Sequence, residues 1–212
     1  QDDRSARRLE GVYTFGTRGS ERLDVLGGAS HSYPATTTIT ALRVPCGLQL
    51  LWQPLQERST TWTLCSTPDG IELRSSTERH RFFMQSDTTT YACTGAVLVP
   101  AAAAMPSGGT TSPPRPYSCT TDGGREDGAA TSLGQVTLTV GGHSVTAEHV
   151  RTASTVSGAN QGSESVDWWL DTATGLPVRL TLTSRTGRKT VVGTARYAED
   201  AELQLTSLVP KR

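Results

Sequence analysis

Helical periodicity is nearly absent from this sequence, since apolar residues hardly anywhere recur at the three- and four-residue spacing that gives a helix one apolar face. One short charged stretch, Asp3 to Leu9, could form a helix, and it carries too few apolar residues to dock firmly. The rest alternates apolar with polar residues between turns bearing glycine or proline, which is the pattern of strands. Apolar residues make up 35% of the chain, whereas Ser and Thr supply 53 of its 212 residues. A core built from such material must be thin and lie on alternating faces.

Strands are expected over 11–17, 21–26, 32–44, 48–52, 58–65, 70–76, 81–84 and 88–94, and then over 133–140, 143–157, 164–171, 176–185, 189–197 and 202–208. The fold class is therefore mainly β, with antiparallel meanders and very little helix. Two arrangements suit it: two pseudo-repeated curved sheets, or one half-open barrel. The expected organisation is a tail over 1–10, a β half over 11–94, a Pro/Gly/Ala-rich linker over 95–129 and a second β half over 130–208 packed on the first.

The halves share an order of features. Val25-Leu26-Gly27-Gly28 and Thr139-Val140-Gly141-Gly142 both read as hairpin tips followed by a long Thr-rich strand. A tryptophan strand comes next in each: Trp62-Thr-Leu, a turn, then Gly70-Ile-Glu-Leu-Arg74, against Trp168-Trp-Leu, a turn, then Gly175-Leu-Pro-Val-Arg179. The turns differ in length by one residue, so an internal duplication is expected, against the plainer possibility that Thr-rich hairpins look alike.

Twenty basic and twenty acidic side chains leave no net charge, which argues against nucleic acid or anionic membrane surfaces as partners. The eighteen Arg against two Lys, with one Asn and two Ile, reflect the codon use of a GC-rich bacterial genome. The four cysteines, Cys46, Cys65, Cys93 and Cys119, show no Cys-x-x-Cys spacing, so disulfides are expected in place of a zinc or redox site. With Leu55 and Gln56 at a hairpin tip, Cys46 and Cys65 would stand directly opposite each other. Cys93 and Cys119 would then tie together the base of the low-complexity connection. With disulfides, the expected location is outside the cytoplasm, and a start at Gln1 without methionine leads to the expectation of a protein secreted or anchored at the cell surface through a removed N-terminal segment. No apolar run approaches the roughly 20 residues of a spanning helix, the longest being interrupted by Pro100.

Trp169-Leu-Asp-Thr-Ala-Thr-Gly-Leu-Pro-Val-Arg179 resembles a hairpin common in the bacterial lipoprotein-carrier superfamily, which includes LolA-type and LppX-type carriers and the sensor domains of periplasmic anti-sigma regulators. The match covers eleven residues, none of them catalytic. What the resemblance implies is a curved, half-open antiparallel sheet whose concave face receives lipid or acyl chains. The helices that usually plug that concavity are missing from this chain.

No catalytic constellation is apparent. His143 and His149 share a strand face but would lie roughly 20 Å apart, too far for one metal, and His31 and His143 read as turn-flanking polar residues. There is no Gly-x-Ser-x-Gly elbow, phosphate loop or calcium loop, and Asp171 is better explained as a turn residue than as a partner of Asp24 or Asp167 in a carboxylate pair. Neither cofactor nor metal is expected. The candidate ligand-binding residues are Trp52, Trp62, Trp168 and Trp169, the last two adjacent and so facing opposite sides of one strand. The expected function is non-enzymatic, a binding or sensing module for lipid or another apolar small molecule. The alternatives are a structural ectodomain that meets a cell-surface protein and, further off, a hydrolase.

Overall fold

The computed structural model describes residues 9–25, 27–82, 85–101, 111–191 and 193–211. All but the last residue of the helix candidate at Asp3 to Leu9 lies outside them, as does 102–110, the Ala- and Gly-rich part of the expected linker. The first strands are β1 (Gly11–Asp24), β2 (Ala29–Ser32), β3 (Thr36–Val44), β4 (Gly47–Trp52), β5 (Arg58–Thr67), β6 (Gly70–Phe82) and β7 (Gln85–Thr94). They are followed by β8 (Val97–Pro100), β9 (Arg115–Thr121), β10 (Gly124–Val140), β11 (His143–Gly158), β12 (Gln161–Asp171), β13 (Pro177–Thr190) and β14 (Gly193–Leu205). There is no helix among the described residues.

All fourteen strands belong to one antiparallel sheet that closes on itself. Twelve follow one another around a ring, β1-β3-β4-β5-β6-β7-β9-β10-β11-β12-β13-β14, and β14 pairs back onto β1 over ten residue pairs from Phe15↔Leu205 to Asp24↔Arg196. β8 hangs from β6, and β2 pairs with β1 where β3 has already ended. Closure satisfies the edges that an open sheet would leave bare.

The mainly β, antiparallel class is the one expected from sequence, and the arrangement differs from it in detail. The two separate or half-open sheets are replaced by one closed ring. Within the expected linker, Val97–Pro100 forms β8, Arg115–Thr121 forms β9 and β10 begins at Gly124, all of them strands of the sheet. β1 also runs unbroken through Arg18-Gly19-Ser20, which reads as an interruption in sequence. Gly19 belongs there because a Cβ at that position would lie 2.1 Å from the Asp200 carbonyl oxygen, so the glycine lets β14 approach closely enough to close the ring.

Both expected disulfides are present, Cys46–Cys65 and Cys93–Cys119. Cys93 and Cys119 are direct partners across β7–β9, whereas Cys46 lies in the turn between β3 and β4 and Cys65 is opposite Gly47. The predicted register is thus one residue out, because the β4–β5 connection is a loop over 53–57 and no two-residue tip forms at Leu55-Gln56.

In both tryptophan hairpins the ladder slips by one residue at the same point, between Thr63 and Leu64 in one and between Trp169 and Leu170 in the other. The Gly-Gly turns do not correspond in this way. Gly141-Gly142 leads into the strand beside that of Trp168, while β2, β3 and β4 separate Gly27-Gly28 from the strand of Trp62.

Candidate functional site

Inward-facing residues divide the lumen into a dry part and a polar part. In the dry part Tyr33, Trp52, Trp62 and Trp168 form a chain of ring contacts with centroids 5.4, 6.4 and 5.3 Å apart, surrounded by Leu50, Leu170, Leu180 and Leu203. Trp52, Trp62 and Trp168 are therefore core residues, at most 3% exposed. Trp169 points outward as the alternation requires, but its ring is stacked on His149 at 4.1 Å and the Arg179 guanidinium lies over it at 4.7 Å. These three are cross-strand partners on β11, β12 and β13, so neighbouring strands cover the outer tryptophan and leave it no free face.

Register carries the polar part around the ring. Glu21, Glu199, Ser184, Glu164, Ser154, Gly128 and Tyr117 are successive cross-strand partners on β1, β14, β13, β12, β11, β10 and β9. The next inward row is Leu23, Tyr197, Thr186, Gly162, Val156, Glu126 and Cys119. Gly128 makes room for a neighbour in its row, since a Cβ there would lie 2.9 Å from the Tyr117 ring.

Opposite this arc β5 and β6 contribute Arg58, Glu78 and His80. Arg58 is 1% exposed and grips Glu199 with two nitrogens, Nη2 to Oε2 at 2.9 Å and Nε to the two carboxylate oxygens at 3.2 and 3.3 Å. Tyr33 and Tyr197 hydroxyls donate to the same carboxylate at 2.5 and 2.7 Å. Glu21, with no side-chain exposure, is 2.8 Å from His31 Nδ1 and 3.5 Å from His80 Nδ1. The second distance suits an ion pair without hydrogen-bond geometry, leaving that buried nitrogen without a hydrogen-bond partner. His80 Nε2 is 3.5 Å from Glu78.

These neighbours divide the carboxyl groups. Burial pushes Glu21 upward, but His80 and His31 outweigh it and hold the group below the usual glutamate range. Glu78 is likewise lowered against its burial, by His80 and Arg58, and His80 is raised by Glu21 and Glu78 against burial and the Arg58 charge. Glu126 and Glu164 go the other way. Burial raises Glu126 despite the Ser154 and Tyr117 hydroxyls that donate to it, and burial followed by the charges of Glu78, Glu126 and Glu199 raises Glu164 far above its ordinary value.

Between these walls a cavity of about 760 Å³ opens at the polar end of the lumen. Glu78, His80, Phe82, Tyr91, Glu164 and Tyr197 line its inner part, with Leu23 and Val156 as apolar wall and Arg188 and Lys189 towards its exposed rim. None of the four tryptophans lines it. Among the described residues no group of three His, Cys, Asp or Glu side chains could hold a metal ion, and no helix is long and apolar enough to cross a membrane.

The other residues considered from sequence lie away from the cavity. His149 bonds Asp167 at 2.9 Å on the outer face, His31 stacks on Phe82, and His143 is exposed at the start of β11. Asp171 is a turn residue, its carboxylate accepting from Ala173 N and Thr174 Oγ1 while its carbonyl accepts from Gly175 N.

No protein-family profile matches the chain, and no curated protein does. Among solved structures it is similar to the hypothetical lipoprotein YmcC from Escherichia coli (K12), with 14% sequence identity, 92% of this chain and 86% of that one covered, and a TM-score of 0.37.

Proposed function

We propose that this protein is a non-enzymatic binding module working outside the cytoplasm, and that it holds a small molecule at the polar end of its lumen. The observation that carries this reading is the cavity of about 760 Å³, within the 300–1,000 Å³ range of small-molecule sites, with apolar and aromatic walls and a few converging polar groups. The two disulfides support an oxidising compartment. A long acyl chain fits poorly, because the lumen beyond the polar layer is filled by Trp52, Trp62 and Trp168. The ligand is therefore compact and partly polar.

The test fills the cavity from its apolar wall. Val156→Trp should abolish saturable binding of an environment-sensitive apolar dye and of any small-molecule hit from a thermal-shift panel, while the far-ultraviolet spectrum stays that of a β protein. Unchanged binding in a folded Val156→Trp protein would refute the lumenal site.

A further inference from the structure

β13 and β14 continue past the strands on either side of them. Their own ladder runs to Thr190↔Gly193, whereas β12 leaves β13 at Gln161↔Gly187 and β1 leaves β14 at Asp24↔Arg196. Beyond those two pairs the hairpin has no neighbouring strand among the described residues, so its tip projects from the ring. It does so beside the cavity, whose rim includes Arg188 and Lys189.

The charge of this hairpin departs from that of the chain. The chain as a whole carries no net charge, but 184–198 holds Arg185, Arg188, Lys189 and Arg196 and no acidic residue. All four are exposed. Asp200 holds Arg185 at 2.6 Å, and Asp24 is 3.9 Å from Arg22 on the adjoining strand. Among the described residues Arg188, Lys189 and Arg196 form no ion pair.

Two further observations fall on the same end. Val191, in the two-residue connection between Thr190 and Gly193, is wholly exposed, more so than Leu42 or Val209. Such connections favour Asn, Asp and Gly, so neither the turn nor the core accounts for a β-branched apolar side chain there. On the outer face at the base of the projection, Ala198 is the cross-strand partner of both Arg185 and Arg22, and Gly187 that of Arg196. Small side chains thus alternate with three arginines around a groove of about 450 Å³.

We propose that this end of the protein docks on a membrane surface bearing anionic lipids, with Val191 entering the headgroup layer and the surrounding Arg and Lys side chains meeting lipid phosphates. Attraction to such a surface acts only within a Debye length, about 8 Å at physiological salt, so the local cluster decides and the neutrality of the whole chain does not oppose it. Guanidinium groups suit phosphate oxygens because they donate to them in pairs. A bilayer is favoured over an acidic protein because it accepts both chemistries at a projecting tip, charge at one level and hydrocarbon beneath, without needing a shaped surface opposite. Docking of this kind brings the mouth of the cavity to the lipid, and it does not depend on whether the lumen holds a ligand.

Co-sedimentation with mixed phosphatidylglycerol and phosphatidylcholine vesicles, compared with phosphatidylcholine alone, tests the proposal. The native protein should bind the anionic vesicles about tenfold or more tightly than the neutral ones. Raising salt from about 0.1 to 1 M, which shortens the Debye length from about 10 to 3 Å, should release it. Arg188→Gln, Lys189→Gln and Arg196→Gln made together should weaken binding about tenfold or more, and Val191→Ser about threefold. Arg43→Gln, Arg74→Gln and Lys211→Gln, which remove three exposed cations from the opposite end of the ring, should leave it unchanged. The substituted side chains are all exposed, and the unfolding transition of each variant shows whether it is folded; if one is not, the lipid and salt dependence of the native protein decides. Equal binding to neutral vesicles, binding that survives high salt, or an equal loss in the distal triple variant overturns the proposal. So does a Val191→Ser protein that binds as tightly as the native one and is displaced by soluble polyglutamate, the result expected of an acidic protein partner.

Discussion

Glu21 and Glu199 stand directly opposite each other across β1 and β14, the pairing that closes the ring. Like charges in that relation repel, and both carboxylates are buried. They are tolerated because Arg58 takes Glu199, His31 takes Glu21, and the Tyr197 hydroxyl lies 2.7 Å from one and 3.1 Å from the other. The seam that shapes the lumen thus depends on a cation from β5, on the far side of the polar layer.

Replacing that cation should be costly. Arg58→Met leaves Glu199 buried without its partner and should destabilise the protein by about 3–5 kcal/mol. Adding Glu199→Gln should restore much of the loss, which urea unfolding of the single and double variants would measure. A single variant within about 0.5 kcal/mol of the native protein would show that the pair does not hold the seam.

Stability should pass through a maximum near the ordinary glutamate range, roughly pH 4 to 5. Glu21 and Glu78 are lowered in the folded protein, so their contribution is present above the usual glutamate range and lost as pH falls through their folded values. Glu126, Glu164 and His80 are raised, so the folded state keeps their protons longer, and that contribution is lost as pH rises through their folded values. Thermal unfolding across this range should therefore decline on both sides, and Glu164→Gln should flatten the alkaline side. A Glu164→Gln profile as steep there as the native one counts against a raised Glu164.

The adjacent tryptophans should differ sharply. Trp168→Ala empties a site 1% exposed and should cost about 3–5 kcal/mol, whereas Trp169→Ala removes a half-buried ring stacked on His149 and Arg179 and should cost about 1–2 kcal/mol. Denaturant unfolding distinguishes them, and equal costs would mean that the inward and outward faces of β12 are misassigned.

Peptide mass spectrometry without reduction should find Cys46 joined to Cys65 and Cys93 joined to Cys119. Converting Cys93 and Cys119 together to Ala should cost about 2–4 kcal/mol, because the bridge closes a 26-residue separation containing the low-complexity segment. A different pairing would be incompatible with the β7–β9 register.

Strand content and the opposite orientations of Trp168 and Trp169 follow from local alternation, and four cysteines without Cys-x-x-Cys spacing point to disulfides, whose partners came from the hairpin reading. Part of the site was legible in the same way. Glu21 lies in phase with Tyr13, Phe15 and Thr17, Arg58 with Trp62 and Leu64, and Glu199 with Ala201, Leu203 and Leu205, so a charged residue continuing a core-facing phase was the available signal. The tryptophans drew attention instead because large aromatic rings suggest ligand contact, and in the folded chain they fill the dry part of the lumen. Closure of the sheet into a ring, the place of Val97–Pro100 and Arg115–Thr121 in its wall, and the convergence of glutamates from five strands on the polar end of the lumen arise from the tertiary structure alone. Pairing of β1 with β14 joins residues more than 170 positions apart, such as Glu21 and Glu199, and no local pattern encodes that distance. Once the ends meet, burial and mutual repulsion give each carboxyl its character, and both depend on the strands around it.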